Sequence, residues 1–197
     1  HSCFNDFPPA KNDIYQSTSS ANIISPSGKR YLVNHRNPQA YVINRISYVE
    51  SFAQKAIELG AVYRLNEKVV SLNISDTEVT VLSEINGHNR KQISKAVIVA
   101  TGFGSPLLKM AGLGNGEAKN FLTGCQVTVS TEDLLRPAVF LGSQIGRGSF
   151  GWLVPTQNNQ ALLGMATSSK LNGHMDILTT LLKNKGYFNK IESPERK

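Results

Sequence analysis

Thr101 and Gly102, which follow the apolar run Ala96–Ala100, are the residues whose types and spacing are best suited to binding a reactive ligand. An apolar run of this length predicts a buried parallel strand. A small polar residue and then glycine at the end of such a strand would let a large ligand approach the backbone, because glycine has no Cβ. The pattern is equally typical of any buried strand that ends in a glycine turn, and the segment alone leaves both interpretations open.

No set of residues suited to acid–base, nucleophilic or metal chemistry can be identified from the sequence. His35, His88 and His174 lie in polar or turn-like contexts, which are typical of solvated surface histidines. Cys3 and Cys125 fit neither a disulfide framework nor a metal site. Cys125 lies in an apolar run and is expected to act as a small buried hydrophobe. The sequence therefore predicts no metal and leaves the catalytic residues unidentified.

A glycine-rich segment, Gly146–Gly151, reads Gly-Arg-Gly-Ser-Phe-Gly and matches the G-x-G-x-x-G pattern of dinucleotide-binding loops. Such a loop must follow a strand and open a helix whose N-terminus meets the pyrophosphate. Here the next residues, Trp152–Pro155, predict a strand that ends at a proline. We interpret these glycines as parts of a tight turn, not as a phosphate loop.

The first strongly patterned element of the chain is a helix that is expected to begin near residue 47. Ser47 and Glu50 match a capping box, and Gly60 is placed to end the helix with a left-handed residue. The apolar residues between them recur at helical spacing and form one stripe: Val49, Phe52, Ala53, Ala56 and Ile57.

Short strands are predicted on both sides of this helix. Ahead of it lie Ala21–Ile24 and Arg30–Asn34, and after it a meander runs through Val69–Ile74, Val79–Leu82 and a segment from Gln92. The last third of the chain predicts an antiparallel sheet from the apolar runs Cys125–Ser130, Ala138–Leu141, Gly151–Val154 and Ala161–Met165. An amphipathic helix, Met175–Lys185, follows and ends at Gly186.

Taken in order, these features resemble the geranylgeranyl reductase family, within the flavoproteins related to p-hydroxybenzoate hydroxylase. Members of that family have a strand that ends in arginine, a helix that ends in Gly-Ala, a Val-x-x-aliphatic strand, a meander and an apolar strand that ends in Thr-Gly. The matching residues are Arg45, Gly60-Ala61, Val69–Leu72 and Val97–Gly102. A second match is the aromatic-x-Trp-x-aromatic-Pro strand followed by Gly-x-Gly, which corresponds here to Phe150–Pro155 and Gly164–Ala166. Phe150 replaces a tyrosine, Val154 an aromatic residue and Ala166 a glycine, and these differences bear on the substrate and not on the fold.

The resemblance implies a role for eight residues. Arg45, Val69, Thr101 and Gly102 would bind FAD: Arg45 through phosphate, sugar or ring edge, Val69 through its backbone beside the adenine, and the last two along the nucleotide. Phe150, Trp152, Pro155 and Gly164 would line an apolar substrate pocket. From the residues alone a structural role stays open for Arg45 as a surface arginine, for Val69 as a core strand residue and for Trp152 as a core tryptophan.

The implied fold is mixed α/β, with a partial FAD/NAD(P)-binding, Rossmann-like domain and β-meander over residues 1–113 and an antiparallel substrate-domain sheet over 114–197. The first βαβ unit with its glycine loop is expected to be missing, so the chain is expected to be an internal fragment that binds FAD poorly and is inactive alone. The implied activity of the complete protein is reduction of C=C bonds in a prenyl or other apolar substrate by hydride from reduced flavin. NAD(P)H or another reductant would be the electron donor. Two alternatives stay open, a flavin-dependent aromatic hydroxylase and a non-catalytic α/β binding module.

Composition narrows the classes of partner. The 197 residues are 40% hydrophobic and 18% charged, which is enough to bury a core, and the net charge is +7. The basic residues are scattered and are not interleaved with aromatics, so nucleic-acid binding is not predicted, whereas attraction to phosphates or lipid headgroups stays open. No apolar run approaches the roughly 18 residues of a membrane span. Two cysteines fit a reducing cytoplasm, with peripheral membrane contact left open. The oligomeric state is not predicted.

Overall fold

The computed structural model describes residues 6–114, 121–132, 134–143, 145, 148, 150–168 and 173–192. Its elements are, in chain order, β1 (Ile14–Thr18), β2 (Ser20–Ile24), β3 (Arg30–Asn34), β4 (Ala40–Ile43), α1 (Arg45–Glu58), β5 (Lys68–Ile74), β6 (Val79–Ile85), β7 (His88–Ser94), α2 (Pro106–Met110), β8 (Thr123–Ser130), β9 (Ala138–Leu141), β10 (Phe150–Pro155), β11 (Gln160–Thr167), α3 (His174–Asn184) and β12 (Lys190–Ile191). The predicted mixed α/β class is confirmed. None of the helices in the described ranges is long and apolar enough to cross a membrane.

The chain divides into two compact units, one formed by residues 1–55 with 120–197 and the other by residues 56–119. The first unit therefore combines the N-terminal strands with the C-terminal sheet. This division differs from the expected boundary after residue 113, since residues 1–55 group with the C-terminal sheet. The roles assigned to the two expected domains stay predictions.

A seven-stranded sheet dominates the first unit, with the strand order β12-β8-β11-β10-β9-β2-β3. Strands β8 to β11 pair antiparallel, as their sequence predicts. The exception in the sheet is β2, which pairs parallel with β9 through Ile23 and Val139. This parallel pair was not predicted, because it joins two segments more than a hundred residues apart and has no local sequence signal.

One face of this sheet carries the core of the first unit. Leu153, Leu163 and Met165 are fully buried on it, because alternate residues of β10 and β11 point to that side. Leu178 and Leu182 of α3 complete the same cluster. Each such side chain contributes about 1.5–3 kcal/mol when it is buried. Gly151 leaves room for this helix, since a Cβ there would lie 3.1 Å from Leu178.

The second unit contains the predicted meander. Strands β5, β6 and β7 form an antiparallel sheet in that order, with the turn Ser75–Glu78 between the first two. The turn is closed by the hydroxyl of Ser75, which donates to the Glu78 carbonyl at 3.0 Å. The sequence signal of alternating residues separated by polar turns is therefore confirmed here.

The prediction of a buried strand at Ala96–Ala100 is wrong. The segment belongs to none of the sheets in the described part of the chain, and the side chain of Ile98 is 92% exposed. Half-buried Val97 and Val99 alternate with exposed neighbours. A parallel strand is buried only when other strands pair with its edges and elements cover its faces, and no described strand pairs with this segment.

The start of α1 is a second correction. The helix begins at Arg45, and its cap is Asn44, whose Oδ1 accepts from the backbone N–H groups of Ile46 at 3.1 Å and Ser47 at 3.3 Å. Ser47 is therefore inside the helix and not its cap. The predicted end of the helix at Gly60 is confirmed. Gly60 has φ +94°, and the N–H of Ala61 donates a hydrogen bond to the Ala56 carbonyl at 2.9 Å.

Candidate functional site

The most distinctive side-chain arrangement of the first unit is Trp152 of β10 beside Gly164 of β11. The two residues are register partners across the antiparallel pair. The indole lies across the Gly164 backbone so closely that a Cβ on Gly164 would be 2.7 Å from the indole Nε1. Only glycine therefore lets the tryptophan lie flat at this position.

The orientation of the indole is fixed from a third strand. Gln126 of β8 is the register partner of Gly164, and its Oε1 accepts a hydrogen bond from the Trp152 Nε1 at 3.1 Å. Gln126, Gly164 and Trp152 therefore lie side by side on three adjacent strands. Gln126 supplies the hydrogen-bond acceptor, and Gly164 leaves the space that the Trp152 ring occupies. This satisfies the one polar atom of the indole and leaves the rest of the ring as an apolar surface.

Phe150 continues this surface on the same face of β10, two residues before Trp152. The two rings have centroids 5.7 Å apart at an interplanar angle of 46°, and Phe150 is 39% exposed. Leu141 of β9 is the register partner of Phe150 and is also exposed. The two register rows contain no charged side chain: Gly124, Ala166, Phe150 and Leu141 in one, and Gln126, Gly164, Trp152, Val139, Ile23 and Tyr31 in the other. We call this group of residues the aromatic wall.

Pro155 does not lie on the aromatic wall. It is three residues from Trp152, and an odd spacing on a strand puts two side chains on opposite faces. Pro155 is buried beside Ala161 on the core face of the sheet. The sequence expectation for Phe150, Trp152 and Gly164 therefore corresponds to one group in the structure, and Pro155 is outside it.

Thr101 and Gly102 are exposed and lie in the second unit, immediately before the turn at residues 103–104. Gly102 has φ +79° and Gly104 has φ +75°, and nothing lies within 4 Å of a Cβ built on either. The strand expected at Ala96–Ala100 does not form, but the positive φ of Gly102 and the open space beside its Cα are present. Ser105 then caps the short helix α2 and accepts from the Leu107 N–H at 3.4 Å. An exposed threonine and an open glycine backbone fit the approach of a large ligand.

Val69 lies in β5, an edge strand of the meander. Its pairing with Ser83 is followed by that of Ser71 with Leu82, so Val70 is an extra residue that forms a bulge. Bulges and edge strands leave backbone N–H and C=O groups without ladder partners. Recognition of a ligand through the backbone at Val69 is therefore compatible with its position.

Arg45 is the first residue of α1 and its side chain is exposed. Sequence reasoning missed the residue that fixes this helix end, Asp13, which is 3% exposed. Its carboxylate accepts hydrogen bonds from the Ser47 hydroxyl and, at 3.2 Å, from the Ala10 N–H. Its carbonyl accepts from the Asn44 N–H at 2.7 Å. An aspartate ahead of a short strand carries no local signal for this role.

Among the described residues, Cys125 and the glycine-rich segment add no reactive group to the site. Burial raises the pKa of the Cys125 thiol above its ordinary value, and the residue pairs in register with Met165 on the core face. Among the described residues no group of three or more His, Cys, Asp or Glu side chains could hold a metal. Of Gly146–Gly151, residues 146, 147 and 149 are outside the described residues, as is Cys3. Gly148 has φ +60°, and Gly151 lies in β10, so the segment leads into a strand and not into a helix.

Residues 17–184 match the model of the DAO family, described as FAD dependent oxidoreductase. A digeranylgeranylglycerophospholipid reductase of Methanocaldococcus jannaschii is 24% identical over 166 residues, which are 82% of this chain and 42% of that protein. The fold is similar to the crystal structure of a geranylgeranyl bacteriochlorophyll reductase-like protein from Thermoplasma acidophilum, with a TM-score of 0.84 at 20% identity over 98% of this chain and 52% of that one. It is also similar to p-nitrophenol 4-monooxygenase from Pseudomonas putida, with a TM-score of 0.66 at 12% identity, over 99% of this chain and 51% of that chain.

The chain spans about half the length of these proteins or less. The similarities confirm the resemblance that the motifs from Arg45 to Ala166 indicated. At these identities the solved structures establish the fold and not the substrate.

Proposed function

Because the chain belongs to the FAD dependent oxidoreductase family, we propose that it forms part of an enzyme that reduces C=C bonds in an isoprenoid or other apolar lipid. The single observation that carries the choice of substrate is the aromatic wall. Trp152 and Phe150 present a ring surface whose one polar atom is already bonded to Gln126. A substrate that contacts it gains by burying hydrocarbon and finds no charge to pair with, which suits a prenyl chain.

The residues proposed to hold FAD are Arg45, Val69, Thr101 and Gly102. Gly102 would let the nucleotide approach its backbone, and Thr101 would offer a hydroxyl beside it. The edge of β5 at Val69 would supply backbone groups to the adenine. The Arg45 guanidinium would donate to phosphate or sugar oxygens, since its forked donors suit such oxygens. When bound, flavin supplies hydride transfer.

In the proposed reaction this chain would bind the apolar substrate, orient it and remove water from around it. The aromatic wall would exclude water from an apolar substrate and hold it against a rigid sheet, because Trp152 is fixed by Gln126 and Gly164. Reduction of an isolated double bond also needs a proton, and no donor for it is assigned among the residues of the wall. NAD(P)H or another reductant is proposed as the electron source. Two cysteines in the chain support a reducing, cytoplasmic setting, and a lipid substrate would bring the protein to the membrane surface.

The test uses the complete gene product that contains these residues, purified with FAD. Flavin reduced anaerobically with dithionite is mixed with a geranylgeranyl lipid, and the visible flavin absorbance and the lipid mass are followed. We expect the flavin to be reoxidised while the lipid gains two hydrogens for each double bond reduced. Product formation without oxygen separates this activity from hydroxylation, which consumes oxygen and adds an oxygen atom.

Two outcomes would contradict the proposal. A protein that purifies colourless and gains no FAD on incubation would favour the non-catalytic binding module. Oxygen consumption with NAD(P)H and an aromatic acid, together with an unchanged lipid, would favour the aromatic hydroxylase. Trp152→Phe is the matched variant: it retains a ring but removes the hydrogen bond to Gln126, so its lipid turnover is expected to fall while FAD binding is retained.

A further inference from the structure

A cavity of about 350 Å³ lies on the α3 side of the seven-stranded sheet in the first unit, away from Trp152 and Phe150. The turn between β2 and β3, the end of β9 and the C-terminal end of α3 line it. We propose that this cavity binds the phosphate group of a phosphomonoester. The site is independent of the proposed function, because its lining contains none of the residues proposed to hold flavin and shares with the aromatic wall only Leu141, at the end of β9.

The floor of the cavity is apolar and buried. Ile24, Phe140, Ile145 and Leu182 line it, and each is 6% exposed or less. The ring of Tyr187 meets that of Phe140 edge to face at 5.0 Å. An apolar floor keeps water from one side of a bound anion, so that a cation at the rim attracts the anion more strongly than it would in bulk water.

The rim of the cavity is cationic. Arg30 and Lys185 are the charged residues that line it, with no carboxylate among its described lining residues. Neither pairs with a carboxylate in the part of the chain that the structure describes. The Lys185 Nζ lies 3.9 Å from the position of a Cβ on Gly28, so the ammonium sits beside the β2–β3 turn. Two unpaired cations on one cavity are suited to a ligand with more than one negative charge.

The C-terminal end of α3 repels an anion, but this repulsion is weaker than the attraction from Arg30 and Lys185. A helix C-terminus carries about half a negative charge. Here the last carbonyls are already bonded, because the Gly186 N–H donates to the Lys183 carbonyl at 2.9 Å and the Tyr187 N–H to the Leu182 carbonyl at 3.0 Å. Two full positive charges therefore outweigh the helix end.

The balance of charge favours a phosphomonoester over a carboxylate. A phosphomonoester carries about −1.5 to −2 charges at neutral pH and three acceptor oxygens. The forked donors of Arg30 suit two of these oxygens, and Lys185 acts as a point charge for the third. The organic part of the ligand would lie on the apolar floor. Such a phosphate could come from a soluble metabolite or from a lipid headgroup, and the experiment distinguishes the two sources.

The test titrates the ¹⁵N-labelled 197-residue chain with inorganic phosphate and then with glycerol 3-phosphate, with sodium chloride at matched ionic strength as the reference. We expect saturable shifts in the amide signals of Gly28, Gly186 and Tyr187. The double variant Arg30→Gln/Lys185→Gln should weaken binding by about a hundredfold, since a hydrogen bond to a charged group contributes about tenfold and the variant removes two charged donors. The control Arg36→Gln/Lys183→Gln removes the same charge from exposed positions outside the cavity and should leave affinity unchanged.

A second arm uses vesicles of phosphatidylcholine with and without phosphatidic acid. Binding that requires phosphatidic acid and is lost in Arg30→Gln/Lys185→Gln indicates a lipid headgroup, whereas binding of free phosphate alone indicates a soluble ligand. The proposal is overturned if phosphate gives no saturable shift, or if both double variants weaken binding equally. Lys185→Gln alone is the second variant should the double variant fail to fold.

Discussion

The hydroxyl of Ser47, in the first turn of α1, donates a hydrogen bond to the buried carboxylate of Asp13, which lies 34 residues earlier in the chain. The same aspartate accepts from the Ala10 N–H, and its carbonyl accepts from the N–H of Asn44, the cap of α1. One residue thus joins the entry into β1 to the start of the helix that Arg45 begins. The position of Arg45 depends on this junction.

Asp13→Ala should lower the free energy of unfolding by about 1–3 kcal/mol, because it leaves the Ser47 hydroxyl and the Ala10 N–H without their acceptor. Urea unfolding followed by circular dichroism measures the change. Ser47→Ala removes only one of the two bonds and should cost less. Equal stability of Asp13→Ala and the wild type would show that the junction does not hold α1 in place.

Gly164→Ala should displace the indole of Trp152 and destabilise the chain by about 1–3 kcal/mol through overpacking. Trp152 is the single tryptophan of the chain, so its fluorescence reports the displacement directly. Gly124→Ala is the matched control, since a Cβ there would meet the Met165 carbonyl at an ordinary 3.5 Å. An unchanged emission spectrum in Gly164→Ala would contradict the close contact between the indole of Trp152 and the Gly164 backbone.

Local patterns predicted much of the fold. The meander follows from alternating residues and polar turns, and Gly60 and Gly186 end their helices with φ +94° and +73° as expected. The failures have a common cause. Whether Ala96–Ala100 is a buried strand depends on strands that pair with it, and the parallel pairing of β2 with β9 depends on distant residues; neither is encoded in a short window of sequence.

The candidate site shows the same limit. Phe150 and Trp152 are two residues apart, so their common face could be predicted from strand geometry, and the spacing of three to Pro155 already excluded it from that face. The space that Gly164 leaves for the Trp152 ring depends on the register of β10 and β11, which the sequence does not reveal. Gln126 could be found only once β8 was known to lie beside β11.

Cys125 should react slowly with iodoacetamide near neutral pH, because burial raises the pKa of its thiol and the thiolate is the reactive form. Its contribution to stability should be present below the pKa of the unfolded thiol and be lost as the pH rises through the higher folded value, since only the unfolded state then ionises readily. Cys125→Ser should show a smaller loss of stability across that alkaline range. Rapid alkylation of Cys125 in the folded chain at neutral pH would contradict this prediction.

Gly102→Ala should cost about 1–2 kcal/mol of stability, because alanine is strained at φ +79°. It should also weaken FAD binding by the complete gene product, since the new Cβ fills the open space that the nucleotide is proposed to approach. Gly104→Ala is the matched control: its φ is +75° and its Cβ would also meet nothing within 4 Å, so it should cost similar stability. Flavin fluorescence titration measures affinity, and thermal unfolding measures stability. If both variants lose stability but neither loses FAD affinity, Gly102 does not contact the nucleotide.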